Sequence, residues 1–167
     1  NLTQQTNLLS KRVGYLASAV CLYPGHELTT LLVNTLRRDV ASSNHVEVCA
    51  SLIAIPKLVS EEVLPALLGP VLALLDHSLE VVRKKTVMVL HKFYQLQPDS
   101  MAGHTDKLRR ALCDKDPAVM GASLYILHEM AETEPALHKD LVPSFVSILK
   151  QITEHRLPSS FDYHRMP

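Results

Sequence analysis

Apolar residues along the chain return at intervals of three or four, the spacing that lays a single stripe down one side of a helix. Leu28/Leu32/Leu36, Leu64/Leu68/Leu72 and Leu141/Phe145/Ile148/Leu149/Ile152 each form such a stripe. Between them lie runs that are more evenly apolar, Val13 to Leu22, Val46 to Ile55, Val81 to Phe93 and Val119 to Met130. Helices apolar over most of their circumference suit elements flanked by neighbours on several sides, so these are expected to lie further inside. Candidate caps and first-turn prolines punctuate the pattern at Tyr23-Pro24-Gly25, Ser42-Ser43-Asn44, Ser60, Asp76-His77-Ser78, Gln97-Pro98-Asp99, Asp114 to Pro117 and Glu134-Pro135. The pattern predicts eight helices, at about 5–22, 26–40, 45–59, 61–76, 79–95, 99–113, 117–132 and 136–154. Pro56, Pro70 and Pro143 fall inside these spans and should bend or shorten them, because proline lacks the amide that the helix needs and clashes with the preceding turn.

The helices repeat. A shift of 37 residues superposes Leu75 on Leu112, Val82 on Val119, Leu90 on Leu127, His91 on His128 and Pro98 on Pro135. A shift of 36 superposes Leu28, Leu31, Leu32 and Leu36 on Leu64, Leu67, Leu68 and Leu72. A recurring unit of two amphipathic helices predicts an all-α superhelix, a solenoid of about four helix pairs of HEAT or armadillo type. Residues 1–156 are assigned to it and 157–167, which lack helical period, to a linker toward a following repeat. The chain begins with Asn1 rather than Met, and we expect a piece of a longer protein. Such a piece should show apolar stripes at its ends: Leu2, Leu8 and Leu9 at one, Phe145, Ile148 and Ile152 at the other.

Composition narrows the class further. Only 5 of the 167 residues are glycine and 5% are aromatic, which disfavours β-rich and glycine-looped nucleotide folds. Seventeen basic and 17 acidic side chains cancel, so no global positive field exists to hold nucleic acid. The three cysteines, Cys21, Cys49 and Cys113, are widely spaced and fit a reducing, cytoplasmic setting. No uncharged apolar run is long enough to span a bilayer.

Candidate chemistry is sparse. The nine histidines give no H-x-x-x-H pair, and no C-x-x-C, G-x-S-x-G or phosphate loop occurs, so we expect no metal site, no cofactor and no catalysis. Asp76, Asp114 and Asp116 sit at helix starts and read as caps. Leu28-Thr-Thr-Leu-Leu32 and Leu64-Pro-Ala-Leu-Leu68 match an L-x-x-L-L docking helix, but their shared repeat position points to the core. The run Arg83-Lys84-Lys85, with Lys11-Arg12, Arg37-Arg38 and Arg109-Arg110, could form a local basic surface toward anionic lipid, or be ordinary solvated helix faces.

The segments 72–90 (LALLDHSLEVVRKKTVMVL) and 108–127 (LRRALCDKDPAVMGASLYIL) resemble HEAT repeats. More specifically, residues 7–40 (NLLSKRVGYLASAVCLYPGHELTTLLVNTLRRDV) resemble the trunk of adaptin large chains. The likeness continues through Val46-Glu47-Val48-Cys49, Val81 to Lys85, Arg110 to Asp114, 142–151 (VPSFVSILKQ) and 157–167 (LPSSFDYHRMP), and the last features favour the ε type over γ. The resemblance implies a structural subunit of a heterotetrameric coat, with a β large chain, a medium chain and a small chain. It also implies recruitment by a GTP-bound Arf-family GTPase to trans-Golgi or endosomal membrane, which the complex touches peripherally, for sorting of transmembrane cargo. A γ-type trunk, or a HEAT scaffold of a phosphatase or nuclear-transport module, stands as the alternative. The family's apolar GTPase contact maps to Leu32 with Leu31 beside it, within residues 28–36. Periodicity instead places Leu28, Leu32 and Leu36 in the core stripe and Leu31 at its edge.

Overall fold

The computed structural model describes residues 2–154 and 156. Within them are eight α-helices and no strand: α1 Leu8–Cys21, α2 Glu27–Val40, α3 His45–Leu58, α4 Leu64–Ala73, α5 Glu80–Leu96, α6 Thr105–Leu112, α7 Pro117–Thr133 and α8 Val142–Thr153. All eight expected helices are present. The 157–167 linker lies outside the described residues.

Helix starts follow the cap chemistry. The Asn7 side chain accepts from the amides of Leu9 and Ser10, Asn44 from Val46, and Asp116 from Ala118 and Val119. At the Asp76 turn the His77 Nδ1 accepts from the Leu79 amide, and α5 starts from Leu79 with no side-chain cap, so the acid expected there does not cap. Two expected helices are shorter than their periodicity suggests. Pro98–Met101 forms a 3-10 turn, Gly103 follows at φ +79°, and α6 begins only at Thr105. Pro135–Leu141 is likewise 3-10, and Pro143 becomes a first-turn residue of α8 instead of an interior one. Pro56 and Pro70 do lie inside α3 and α4.

The odd-numbered helices stack in order, α1 on α3, α3 on α5, α5 on α7, as one layer. The even-numbered helices form a second layer: α2 and α6 each pack most closely on the odd helix that follows, and α4 packs equally on α2 and α5. The 37-residue register holds in three dimensions: Val82 and Val119, and Leu90 and Leu127, are all fully buried. A second ladder runs through the same layer. Ser51, Thr86 and Ser123 are buried at matching positions, each donating its hydroxyl to a backbone carbonyl one turn back, of Val48, Val82 and Met120.

The 36-residue register splits. Leu67 is fully buried, whereas Leu31 is 67% exposed, and Leu64 is buried whereas Leu28 is exposed. The reason is the neighbourhood: α4 has α2 packed against it, and among the described residues α2 has no even-layer helix on its other side. Leu28 therefore leaves the core stripe to which its spacing assigned it, while Leu32 and Leu36 stay. At the other end, Phe145, Ile148 and Ile152 are partly buried. The open face of α8 is Val142, Val146 and Leu149 instead.

Candidate partner-binding surfaces

The segment that carries the family likeness is organised by a buried ionic network. Lys11 of α1 is 5% exposed, and its Nζ donates to Asp39 of α2 at 3.1 Å and Glu47 of α3 at 2.8 Å. The Tyr15 hydroxyl donates to the other Asp39 oxygen at 2.7 Å, and Ser42 donates to Glu47 at 2.6 Å. Burial works against the Lys11 ammonium, but its bonds to Glu47 and Asp39 outweigh this and raise its pKa. Lys11 and Ser42 hold Glu47 below the usual carboxylate range, and burial, then Asp39, push the Tyr15 phenol upward. Three consecutive helices are tied at one point. Lys11 thus leaves the basic surface in which its neighbour Arg12 would place it. The sequence shows it as half of a Lys-Arg pair, and only the distant acids Asp39 and Glu47 explain its burial.

Gly14 belongs to the same device. A Cβ there would come within 2.7 Å of the Thr3 backbone nitrogen and 2.9 Å of the Leu2 carbonyl carbon, so glycine lets the 3-10 turn Leu2–Gln4 cross α1 in contact.

The run Arg83-Lys84-Lys85 does not act as one patch, since successive helical residues point about 100° apart. Arg83 turns inward: its Nε and Nη2 grip Asp114 at 2.7 and 2.9 Å, and its Nη1 donates to the carbonyls of His77 and Ser78. It joins α5 to the α6–α7 turn. Burial opposes the Asp114 carboxylate, yet Arg83 and the amides of Asp116 and Lys115 hold its pKa low. Lys84 and Lys85 remain half-exposed on α5 without an ion pair among the described residues. Arg109 forms a second bidentate pair, with Asp140, 31 residues on as Asp114 is from Arg83. Of the basic pairs, Arg12, Arg37 and Arg110 have no ion pair among the described residues, and Arg38, whose side chain is 60% exposed, touches Asp39.

On α2 the structure separates the two leucines of interest. Leu32 is 4% exposed and Leu31 67%, with Leu28 one turn away and also open. Among the described residues no set of three or more His, Cys, Asp or Glu is grouped to hold a metal, and no helix is long and apolar enough to cross a membrane.

Stacked helix pairs with open faces and side-chain staples between units define an α-solenoid of the kind that presents surfaces to proteins. The particular family follows from comparison: the model of the adaptin N terminal region matches residues 1–163, and the chain belongs to that family. It is 49% identical to the AP-4 complex subunit epsilon of Arabidopsis thaliana over 99% of its own length and 18% of that protein. It is 46% identical to the AP-4 complex subunit epsilon-1 of Homo sapiens over 99% of its length and 15% of that protein. The AP-3 complex subunit delta-1 of Bos taurus is more distant, 27% identical over 87% of this chain. One chain in a homology model of the full-length AP-3 complex in an intermediate open conformation shares the fold at TM-score 0.76 and 24% identity, covering 89% of this chain and 26% of that one. The chain spans 15 to 19% of the AP-4 epsilon relatives it matches. Membership of this family sets aside a phosphatase or nuclear-transport scaffold.

Proposed function

We propose that the chain is trunk of a large chain in a heterotetrameric adaptor coat, a non-catalytic scaffold for vesicle-mediated sorting of transmembrane cargo at trans-Golgi or endosomal membrane. Its partners in this reading are a β large chain, a medium chain and a small chain. The observation that carries it is the 46 to 49% identity, over nearly the whole chain, to AP-4 complex epsilon subunits of a plant and two mammals. The fold supports a scaffold role, because a solenoid offers extended surface rather than an enclosed substrate cavity. A GTP-bound Arf-family GTPase docks on the open face of α2, where Leu31 and Leu28 present apolar side chains. Lys84 and Lys85 are the cations of the 83–85 run free to meet a partner or an anionic membrane; Arg83 is committed to Asp114.

The test is co-expression with β, medium and small adaptor chains, followed by capture on GTP-loaded Arf. Leu31→Ser should weaken GTP-dependent capture and leave unfolding within about 0.5 kcal/mol of the parent, as for an exposed position. Leu32→Ser should cost about 2–5 kcal/mol in stability. Failure to copurify with the other chains refutes the coat assignment. Undiminished capture of a folded Leu31→Ser chain removes α2 from the GTPase interface.

A further inference from the structure

The odd-numbered layer carries a second surface, of which the reading above uses only Lys84 and Lys85. Leu16, Ile53, Met88 and Tyr125 lie 37, 35 and 37 residues apart. All four are large, and all four are 50 to 70% exposed. Their equivalence is fixed independently by the residue two positions earlier, which is the buried Gly14, Ser51, Thr86 or Ser123 in turn. End effects do not account for the exposure: α3 has α1 and α5 on its flanks and α5 has α3 and α7, yet Ile53 and Met88 remain open. They point out of the layer. Packed helices lie about 8–10 Å apart, so the four side chains form an apolar row about 30 Å long that crosses the helix axes.

Charge along the row is uneven. At 100° per residue, Arg12 falls within about 40° of Leu16, Lys57 within about 40° of Ile53, and Lys84, Lys85 and Lys92 within about 60° of Met88. None of these five cations is held in an ion pair among the described residues, although the chain as a whole is neutral. Around Tyr125 the sign reverses, with Glu129 bonded to His91 and Glu132 beside His128. Between α1 and α3 the row is indented by a shallow groove, floored by Tyr15, Ala50 and Ala54 and walled by Leu16 and Ile53.

We propose that this row docks an acidic amphipathic helix of another protein, laid across the four odd helices. A helix advances about 10.5 Å in seven residues, which matches the spacing of the row, so one apolar residue per heptad meets each of the four side chains over about 22 residues. Carboxylates beside those apolar residues meet Arg12, Lys57, Lys84, Lys85 and Lys92, while the end of the segment over α7 is neutral or basic because Glu129 and Glu132 lie there. That polarity also separates a helix from a membrane. An anionic bilayer presents one sign of charge and no knob to fill the α1–α3 groove, and it would be repelled at the α7 end. The proposal is independent of the GTPase contact on α2, which lies in the other layer.

The experiment displays helical peptides of about 22 residues with Leu at every seventh position and either Glu or Lys at the flanking positions, and selects them on the 167-residue chain. Glu-flanked sequences should be enriched, with Lys tolerated at one end only. A selected peptide should bind more weakly as salt rises, and about tenfold or more weakly to Met88→Asp. The surface variant Lys84→Glu/Lys85→Glu, which removes no apolar contact, should turn the preference toward Lys-flanked sequences. Circular dichroism checks that both variants keep their helicity, and the lysine variant decides if Met88→Asp does not fold. Enrichment of no peptide, equal enrichment of Glu and Lys, or unchanged binding to Met88→Asp overturns the proposal. So does flotation of the chain with phosphatidylserine vesicles in a Met88-dependent way while no peptide binds, which would make the row a lipid surface.

Discussion

Replacing Lys11 by Met keeps the aliphatic stem in place and removes the charge that ties α1 to α2 and α3. Asp39, whose side chain is 2% exposed, would then keep only the Tyr15 hydroxyl and the Arg38 Nε at 3.3 Å, and Glu47 would keep Ser42. Breaking a buried pair from one side costs about 3–5 kcal/mol when the remaining charge is left alone. Here the surviving donors reduce that, and we expect about 2–4 kcal/mol. For a domain of this size each kcal/mol lowers Tm by about 2–4 °C, so thermal unfolding followed by far-UV circular dichroism should fall by about 5–15 °C. The pH profile supplies an independent check. Glu47 is depressed in the folded chain, so its contribution is present above its unfolded value of 4.5 and disappears as pH falls through the folded value. Lys11 is raised, so its contribution is complete below 10.5 and disappears as pH rises through the folded value. The parent should therefore be most stable on a plateau between about pH 5 and 10, and Lys11→Met should flatten both shoulders. An unfolding free energy within about 0.5 kcal/mol of the parent, with both shoulders intact, would refute the idea that this network fixes the first three helices.

Gly14→Ala should lose about 1–3 kcal/mol and deprotect the amides of the Leu2–Gln4 turn in hydrogen exchange, because the new methyl meets backbone rather than a movable side chain. The same change at Gly69 or Gly121, where nothing lies within 4 Å, should instead gain up to about 1 kcal/mol. Arg83→Met should cost about 1–3 kcal/mol near neutral pH. Because Asp114 is depressed mainly by that arginine against its burial, the stability that the parent loses below about pH 4 should shrink in the variant, read as Tm against pH. The open stripes Leu9/Val13/Val20 on α1 and Val142/Val146/Leu149 on α8 should drive concentration-dependent association, and a monomer at all concentrations in sedimentation would count against that.

The helices and their stacking were legible because period, caps and first-turn prolines agree at most boundaries, Asn44 and Asp116 most plainly. Where reading failed, two signals competed. Residues 99–113 keep an apolar period through Met101 and Leu108, and the period hides a break that Gly103, at positive φ, makes in the backbone. Residues 136–154 likewise look continuous until Pro143 is taken as a start instead of a kink. Exposure is harder than helicity, since it depends on which helix lies alongside. Leu31 and Leu67 have the same local pattern and opposite surroundings. The same limit hid the Leu16–Tyr125 row: its members add to the evenly apolar look of the odd helices, which reads as burial on both flanks and conceals that one side faces out. The ionic networks were invisible for a different reason, because Lys11 meets acids 28 and 36 residues away and Arg83 one 31 residues away.

The two layers are not mechanically equal. The odd helices form an unbroken stack of 14, 14, 17 and 17 residues, whereas the even ones have 14, 10, 8 and 12 and, past α4, lean on odd helices or on 3-10 turns more than on one another. Under load such a body behaves like a leaf spring with one continuous blade. The odd layer resists stretching, and bending is taken up by opening or closing the gaps on the even side. A partner that bridges two even helices therefore sets the curvature of the rod, and one that lies along the odd layer rides on a surface whose spacing stays nearly constant while the rod flexes.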